Sequence, residues 1–328
     1  MTRWLGNELP AELEKRLICT DCRRVLHTGI EGYYCIKCSR KFPVRGGIPV
    51  FWDSKDSFKA EEARFYGNEA KNPSLASLER NFYRYTHYDK KKNEIPFKHL
   101  RPNSLILSLG GGDGRHGLDL LKRGHQVLES DLAPDSAAVA GSKFRNSRHE
   151  GKWAVAAIDA EDIPFMDATF DAVYLCAALH QMPNQLAVAN GIRRVLKPGG
   201  KLILAAEPAS WFYKVIRPLA QVMGIRSGQL GVQSVGDEAN KGLSHSALSE
   251  FVDKSGGRII VFSGKYYLTG FLYQATEAAY RLLRGKLRDN MSIRQWEVEF
   301  CTIMDSVMEN LPVISKYPFF WTVIAEKK

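Results

Sequence analysis

Four cysteines near the start of the chain stand in two matched pairs, Cys19 with Cys22 and Cys35 with Cys38, and twelve residues separate the pairs. Each C-x-x-C can wrap a tight turn that aims two thiolates at one ion, and a hairpin can bring both turns to a tetrahedral four-sulfur site. Such a site has no open coordination position, so the ion it implies, Zn2+, is structural and not catalytic. Further along, the apolar run LILSL at 105–109 breaks into GGGDG. Gly110, Gly112 and Gly114 there leave the backbone bare, so that it can turn sharply and approach a ligand at the start of a helix expected near Arg115. Alone, a G-x-G-x-G loop also suits a dinucleotide. Asp131 lies twenty-one residues after Gly110 at the end of the next apolar run, where a carboxylate can accept both hydroxyls of an adenosine ribose.

These residues need a frame. The runs SLILSL, HQVLES, KWAVAAI, FDAVYLC and KLILAAE alternate with helix-length stretches that carry polar faces. That alternation predicts an α/β fold with a parallel sheet, and ligands then bind at the carboxyl ends of the strands. Three segments follow from composition: a zinc ribbon over 1–54, a helical connector over 55–102, and the α/β domain over 103–328. Leu75, Leu78, Phe82 and Tyr85 carry helical spacing in the connector, and Lys90 to Lys92 read as a solvated run. Past the fifth strand the chain exceeds what the sheet needs, with insertions at about 208–257 and 264–316 around the strand GRIIVFSG and before a final strand in PFFWTVIAEKK.

The stretch AIDAEDIPFMDATFDAVYLC, followed by RRVLKPGGKLILAAEP, resembles the class I S-adenosylmethionine-dependent methyltransferases of the small-molecule branch. The resemblance runs from about Leu105 to Glu207. The cysteine pairs, followed by KFPVRGGIPVF, are similar to the zinc-ribbon leaders fused to some methyltransferases and to small zinc-ribbon methyltransferase activators. The resemblance implies a Rossmann-like sheet with an antiparallel last strand, and S-adenosylmethionine as cofactor. It assigns Gly110 and Gly112 to the methionine end of that cofactor and Asp131 to the ribose. It assigns Asp159 to the adenine amino group, with a backbone donor at Ala160, and places Cys176 in the floor of the pocket. LKPGG is expected to stop a helix at Lys197 and launch the fifth strand. One position departs from the family pattern: Ser108 stands where an Asp or Glu is usual, two residues before the first glycine. Asp113 inside the loop could compensate; without compensation the chain would be a non-catalytic cofactor-binding or activator protein.

Methyl transfer from a sulfonium needs mainly alignment, with a general base added when the acceptor is a hydroxyl or an acidic carbon. His180 is the candidate base, and its other reading is structural. Cys176 reads as a small buried residue and not a nucleophile. His245 is expected beside a helix N-cap formed by Ser244. In the insertions, Trp211, Phe212, Tyr213, Tyr266, Tyr267 and Tyr273 could line an apolar acceptor pocket or serve as ordinary helix packing.

Composition is 45% hydrophobic and 25% charged, and no uninterrupted apolar run approaches the ~20 residues of a membrane span, so a cytoplasmic protein is expected. The formal net charge is +10, yet residues 105–207 hold 11 Lys and Arg against 12 Asp and Glu, so the positive excess lies in the flanks. A small or medium-sized acceptor under a helical lid is the main expectation. The alternatives are an RNA acceptor gripped by ribbon and basic flanks, a membrane surface against the 211–226 segment, and a protein partner on the ribbon. Replacing Cys35 by Ser is expected to destabilise the leader and to leave cofactor binding by residues 105–207 largely intact.

Overall fold

Strands that are buried on both faces demand helical crossovers, and the chain supplies them. The computed structural model describes residues 9–53, 55–72, 95–147, 152–222, 234, 236, 241–270 and 295–328. The expected helix at Leu75 to Tyr85, the run Lys90 to Lys92 and Tyr273 lie outside the described residues.

After a single turn, α1 (Ala11–Glu14), the leader forms a four-stranded antiparallel sheet of β1 (His27–Gly29), β2 (Gly32–Tyr34), β3 (Lys41–Arg45) and β4 (Ile48–Pro49). The two cysteine turns are built alike. Arg23 N–H donates to Cys19 O and Cys19 N–H to Arg24 O, and Ser39, Cys35 and Arg40 repeat both bonds in the second turn. Arg23 and Ser39 each take positive φ, 57° and 59°, to close them.

The connector contributes α2 (Ser57–Lys71), whose Asp56 cap accepts from Phe58 and Lys59 N–H at 3.0 and 3.2 Å. Then β5 (Leu105–Leu109), α3 (Arg115–Lys122), β6 (Gln126–Asp131), α4 (Pro134–Asn146) and β7 (Trp153–Ala157) alternate as the sequence predicts, but β8 (Phe170–Cys176) follows β7 through the loop 158–169 with no helix between them. They lead into α5 (Gln185–Val195), β9 (Leu196–Pro208), α6 (Ser210–Val222), α7 (His245–Lys254), β10 (Gly257–Lys265), α8 (Gln295–Glu309) and β11 (Phe320–Lys327).

The seven strands lie in the order β10-β11-β9-β8-β5-β6-β7, with β11 antiparallel to both of its neighbours and the neighbouring pairs among β5 to β9 parallel. One face packs Ile106, Val127 and Ala172 under α3 and α4, against Leu120, Leu121 and Phe144. The other packs Leu107, Leu128 and Val173 with Ile192 of α5. LKPGG differs from expectation: the helix stops at Val195 and the strand begins at Leu196, so the KPGG residues are already extended, with Gly199 at φ 71° bending the chain. Ser244 does cap α7, accepting from Ala247 N–H at 3.1 Å. No described helix is long and apolar enough to cross a membrane.

The ribbon is joined to the large sheet by backbone. Phe51 N–H donates to Ala157 O at 2.9 Å, Ile18 N–H to Pro164 O at 3.0 Å and Met166 N–H to Arg16 O at 2.8 Å. Val50 and Ala157 form a parallel bridge, and Leu17 and Phe165 an antiparallel one. Leu13, Leu17, Phe42 and Phe51 of the ribbon share a core with Leu128 and Phe165. The loop 158–166 is therefore held by the ribbon at both ends.

Deleting residues 1–50 should lower the stability of the remainder by at least about 2 kcal/mol, at ~1 kcal/mol for each of the two inter-segment hydrogen bonds lost with Arg16 and Ile18, before any apolar exposure. Differential scanning calorimetry checks this. The intact chain is expected to melt the two sheets together, and an unchanged midpoint in the truncated chain would show the ribbon to be independent.

Candidate functional site

The glycine loop is the first wall of the site. Gly110, Gly112 and Gly114 adopt φ of 63°, 58° and 74°, a region that side chains with a Cβ rarely enter. Gly114 caps α3, and a Cβ on it would meet Ala140 at 2.6 Å. Asp131, at the end of β6, braces the loop: its Oδ2 accepts from Gly112 N–H and its Oδ1 from Ala133 N–H, both at 2.9 Å. Burial raises the Asp131 pKa, and the neighbouring Glu62 carboxylate adds to that rise.

Gly110, Gly112 and Asp131 line a cavity of ≈ 210 Å³ together with Ile158, Asp159, Ala160 and Glu161 of the ribbon-held loop. Ala177, Ala178, Gln181 and Met182, after β8, close another side, and Phe58, Lys59, Glu62 and Tyr66 of α2 form the roof. Lys59 Nζ bridges Asp159 Oδ2 at 2.6 Å and Glu161 Oε2 at 2.7 Å. Burial pulls the Lys59 pKa down, but its bonds to the two carboxylates outweigh that and hold it above the ordinary value. Tyr66 accepts from Gln181 Nε2 at 2.6 Å, and Glu62 accepts from Gly236 N–H at 2.8 Å and Ser234 Oγ at 3.2 Å.

The structure thus brings Gly110, Gly112, Asp131, Asp159 and Ala160 to one cavity. Two expectations change. Cys176 does not line the cavity; it pairs with Ala205 in the sheet and packs toward the α3 and α4 face, and the chain turns inward only at Ala177, φ 51°. Asp113 does not substitute for an acid at Ser108, because Lys143 at 2.6 Å and Arg115 at 3.4 Å take its carboxylate. Burial alone would raise the Asp113 pKa, and those two cations hold it below the ordinary range.

His180 follows Leu179 in a short 3-10 turn, between cavity residues Ala178 and Gln181. Its Nδ1 lies 2.9 Å from Oε2 of Glu207, a fully buried carboxylate at the end of β9. Glu207 also accepts from Ala178 and Leu179 N–H at 3.0 Å and from His180 N–H at 3.2 Å. With Nδ1 donating to Glu207, Nε2 keeps its lone pair and can take a proton. The sequence reading missed Glu207, Lys59 and Glu62. Glu207 had one signal, a lone charge closing the run KLILAA.

The insertion aromatics pack on one another. Trp211 and Phe212 each lie 5.3 Å from the Phe319 ring, Tyr266 lies 5.9 Å from Phe320, and Tyr267 donates to Ser315 O at 3.1 Å. None of Trp211, Phe212, Tyr213, Tyr266 and Tyr267 lines this cavity.

In the ribbon the four sulfurs converge. Cys19–Cys38, Cys22–Cys35 and Cys22–Cys38 Sγ separations are 3.5, 3.4 and 3.7 Å, and all four lie within 4.8 Å of one another. A tetrahedron with Zn–S bonds of about 2.3 Å puts its sulfurs roughly 3.8 Å apart, so these residues fit such an ion. No second cluster of metal-ligating residues occurs among the described residues.

Comparison with known proteins matches residues 107–204 to the family described as Methyltransferase domain. The sterol 4-C-methyltransferase of Caenorhabditis elegans is 36% identical over 105 residues, which cover 32% of this chain and 31% of that protein. A ubiquinone/menaquinone biosynthesis C-methyltransferase of Vibrio cholerae is 30% identical over 133 residues, covering 38% and 51%. The chain therefore spans about half or less of these two relatives. Among solved structures, phosphoethanolamine N-methyltransferase 2 of Haemonchus contortus superposes with a TM-score of 0.50 at 16% identity, over 80% of this chain and 60% of that one, which establishes the shared fold.

Asp131→Ala removes a brace from the glycine loop and an acceptor from the cavity. It should weaken S-adenosylhomocysteine about ten- to a hundredfold, the effect of losing a charge-assisted hydrogen bond of roughly 1.5 to 3 kcal/mol. Isothermal calorimetry checks the affinity, with circular dichroism verifying that the fold persists.

Proposed function

We propose, for a chain whose residues 107–204 form a class I S-adenosylmethionine-dependent methyltransferase domain, that the whole protein methylates a small-molecule acceptor at an acidic carbon or a hydroxyl. The single observation that carries the acceptor chemistry is the His180–Glu207 pair beside the cavity. The relatives whose names specify sterol and quinone acceptors support the same class.

S-adenosylmethionine supplies a methyl group already activated on a sulfonium. Gly110 and Gly112 would receive its methionine end, Asp131 the ribose and Asp159 with Ala160 the adenine. In this reading Lys59 must share Asp159, whose Oδ1 already accepts from Glu161 N–H at 2.9 Å. A carboxylate has about four acceptor sites, and two of those on Asp159 are taken by Lys59 and Glu161, so about two remain for an adenine amino group. His180 Nε2 takes the acceptor's proton, and Glu207 holds the ring through Nδ1–H and stabilises the imidazolium that forms. The ribbon cysteines hold Zn2+, whose work is to fold the leader and, through it, the loop 158–166.

Purified without chelator, the chain should carry one zinc ion, reduced in Cys35→Ser. Metal analysis by mass spectrometry checks the first point. In the variant, weakened S-adenosylhomocysteine binding would separate a ribbon that braces the cofactor loop from one that folds alone.

Labelled methyl transfer into a fractionated cell extract should mark the lipid or small-molecule fraction. His180→Gln should cut turnover about 10²- to 10⁴-fold, the usual contribution of a general base, with cofactor affinity unchanged. Label confined to RNA would overturn the acceptor class; full turnover in His180→Gln would overturn the base.

A further inference from the structure

Among the described residues, one buried acid lies beneath the cavity and not in it. Glu129 sits in mid-β6, 1% exposed. It is in register with Ser108 of β5, whose Oγ–H donates to Glu129 Oε1 at 2.8 Å. Oε2 is buried and has no hydrogen-bond partner among the described residues. An orphaned buried oxygen costs free energy and calls for a reason.

Its surroundings give one. A Cβ at Gly111 would stand 1.4 Å from Oε1, and a Cβ at Gly117 would stand 1.8 Å from Oε2. The carboxyl therefore fills the space that two glycines vacate, one in the ligand loop and one in the first turn of α3. Gly111 N–H is tied to Ser130 O at 2.9 Å, on the residue after Glu129. Any movement of the loop is a movement against this carboxyl.

Its charge is finely balanced. Burial dominates and pushes the Glu129 pKa up to about 8; Ser108 opposes that rise, the carboxylates of Asp131 and Asp113 add to it, and the Lys143 ammonium lowers it. Near pH 7 the group holds its proton. A cation on the loop above would favour the carboxylate, because charges in a low-dielectric interior interact strongly.

We infer that Glu129 is a positioning acid that fixes the glycine loop from below and releases its proton when a cationic cofactor settles on that loop. This rests on the S-adenosylmethionine reading of the cavity, since that cofactor carries a sulfonium and an ammonium against one carboxylate. The proton leaves Oε1 or Oε2 for the solvent, and no covalent bond changes otherwise.

Calorimetry of S-adenosylmethionine binding in buffers of different ionisation enthalpy tests it. At pH 7 the wild type should release close to one proton per cofactor bound. Its affinity should rise with pH, approaching tenfold per unit, until it levels off above pH ~8, the free protein's titration point. S-adenosylhomocysteine, which lacks the sulfonium, should release less. Glu129→Gln keeps the shape but has no proton to give; it should show no release and a flat profile, with about tenfold weaker binding at pH 8.5. The exchange Ser108→Glu/Glu129→Ser, which returns the acid from the neighbouring strand, should restore part of the pH dependence.

Wild-type binding without proton release overturns the assignment, as does identical release in Glu129→Gln, which would move the titration to Asp131. Wild type that binds neither ligand overturns the cofactor reading itself.

Discussion

Three left-handed glycines within five residues govern this structure. A parallel strand buried on both faces must end by sending its chain across the sheet's edge, and β5 does so at Gly110, Gly112 and Gly114 without a Cβ to obstruct the turn. Because the turn is so tight, α3 begins at Arg115, directly over the ends of β5 and β6. Asp131 then reaches the loop by its ordinary place at a strand end, and the cavity opens where the sheet order reverses between β8 and β6 on either side of β5. The remaining walls are additions to that reversal point.

Those additions come from far along the chain. The Lys59 to Asp159 ion pair spans 100 residues and joins the connector helix to the loop after β7. That same loop is hydrogen bonded to the ribbon at Ala157, Pro164 and Met166, and Arg23 approaches Asp162 at 2.8 Å. The thiolate cluster, the ribbon sheet, the loop 158–166 and the cavity thus form one mechanical series. An ion held by these four sulfurs would have no open coordination position for chemistry, yet it would fold the element that is hydrogen bonded to the loop 158–166.

What the sequence revealed follows from how local each signal is. Paired cysteines are read from spacing alone, and their turns form as spacing predicts because each is closed by its own backbone bonds. FDAVYLC corresponds residue for residue to β8, since apolar β-branched and aromatic runs between turn residues leave little choice of boundary. Glu129 and Glu207 were another matter. Each interrupts or ends an apolar strand, and nothing in the neighbouring residues tells that one lies under Gly111 and the other against His180. Cys176 illustrates the converse: the strand that carries it was read correctly, but alternation places its side chain on the helix-covered face and leaves the cavity to Ala177 and Ala178.

The charge of the site runs against the charge of the chain. The protein carries +10 overall, but the charged residues lining the cavity are Glu62, Asp131, Asp159 and Glu161 against Lys59. Glu129 lies just below, outside that lining. Burial raises the cost of each carboxylate, and the chain meets that cost in two ways: backbone donors hold Asp131 and Glu207, and Lys59 is shared between Asp159 and Glu161. An arrangement with acids in excess favours a ligand that brings positive charge with it. The glycine loop alone sets no such preference; the carboxylates gathered around it do.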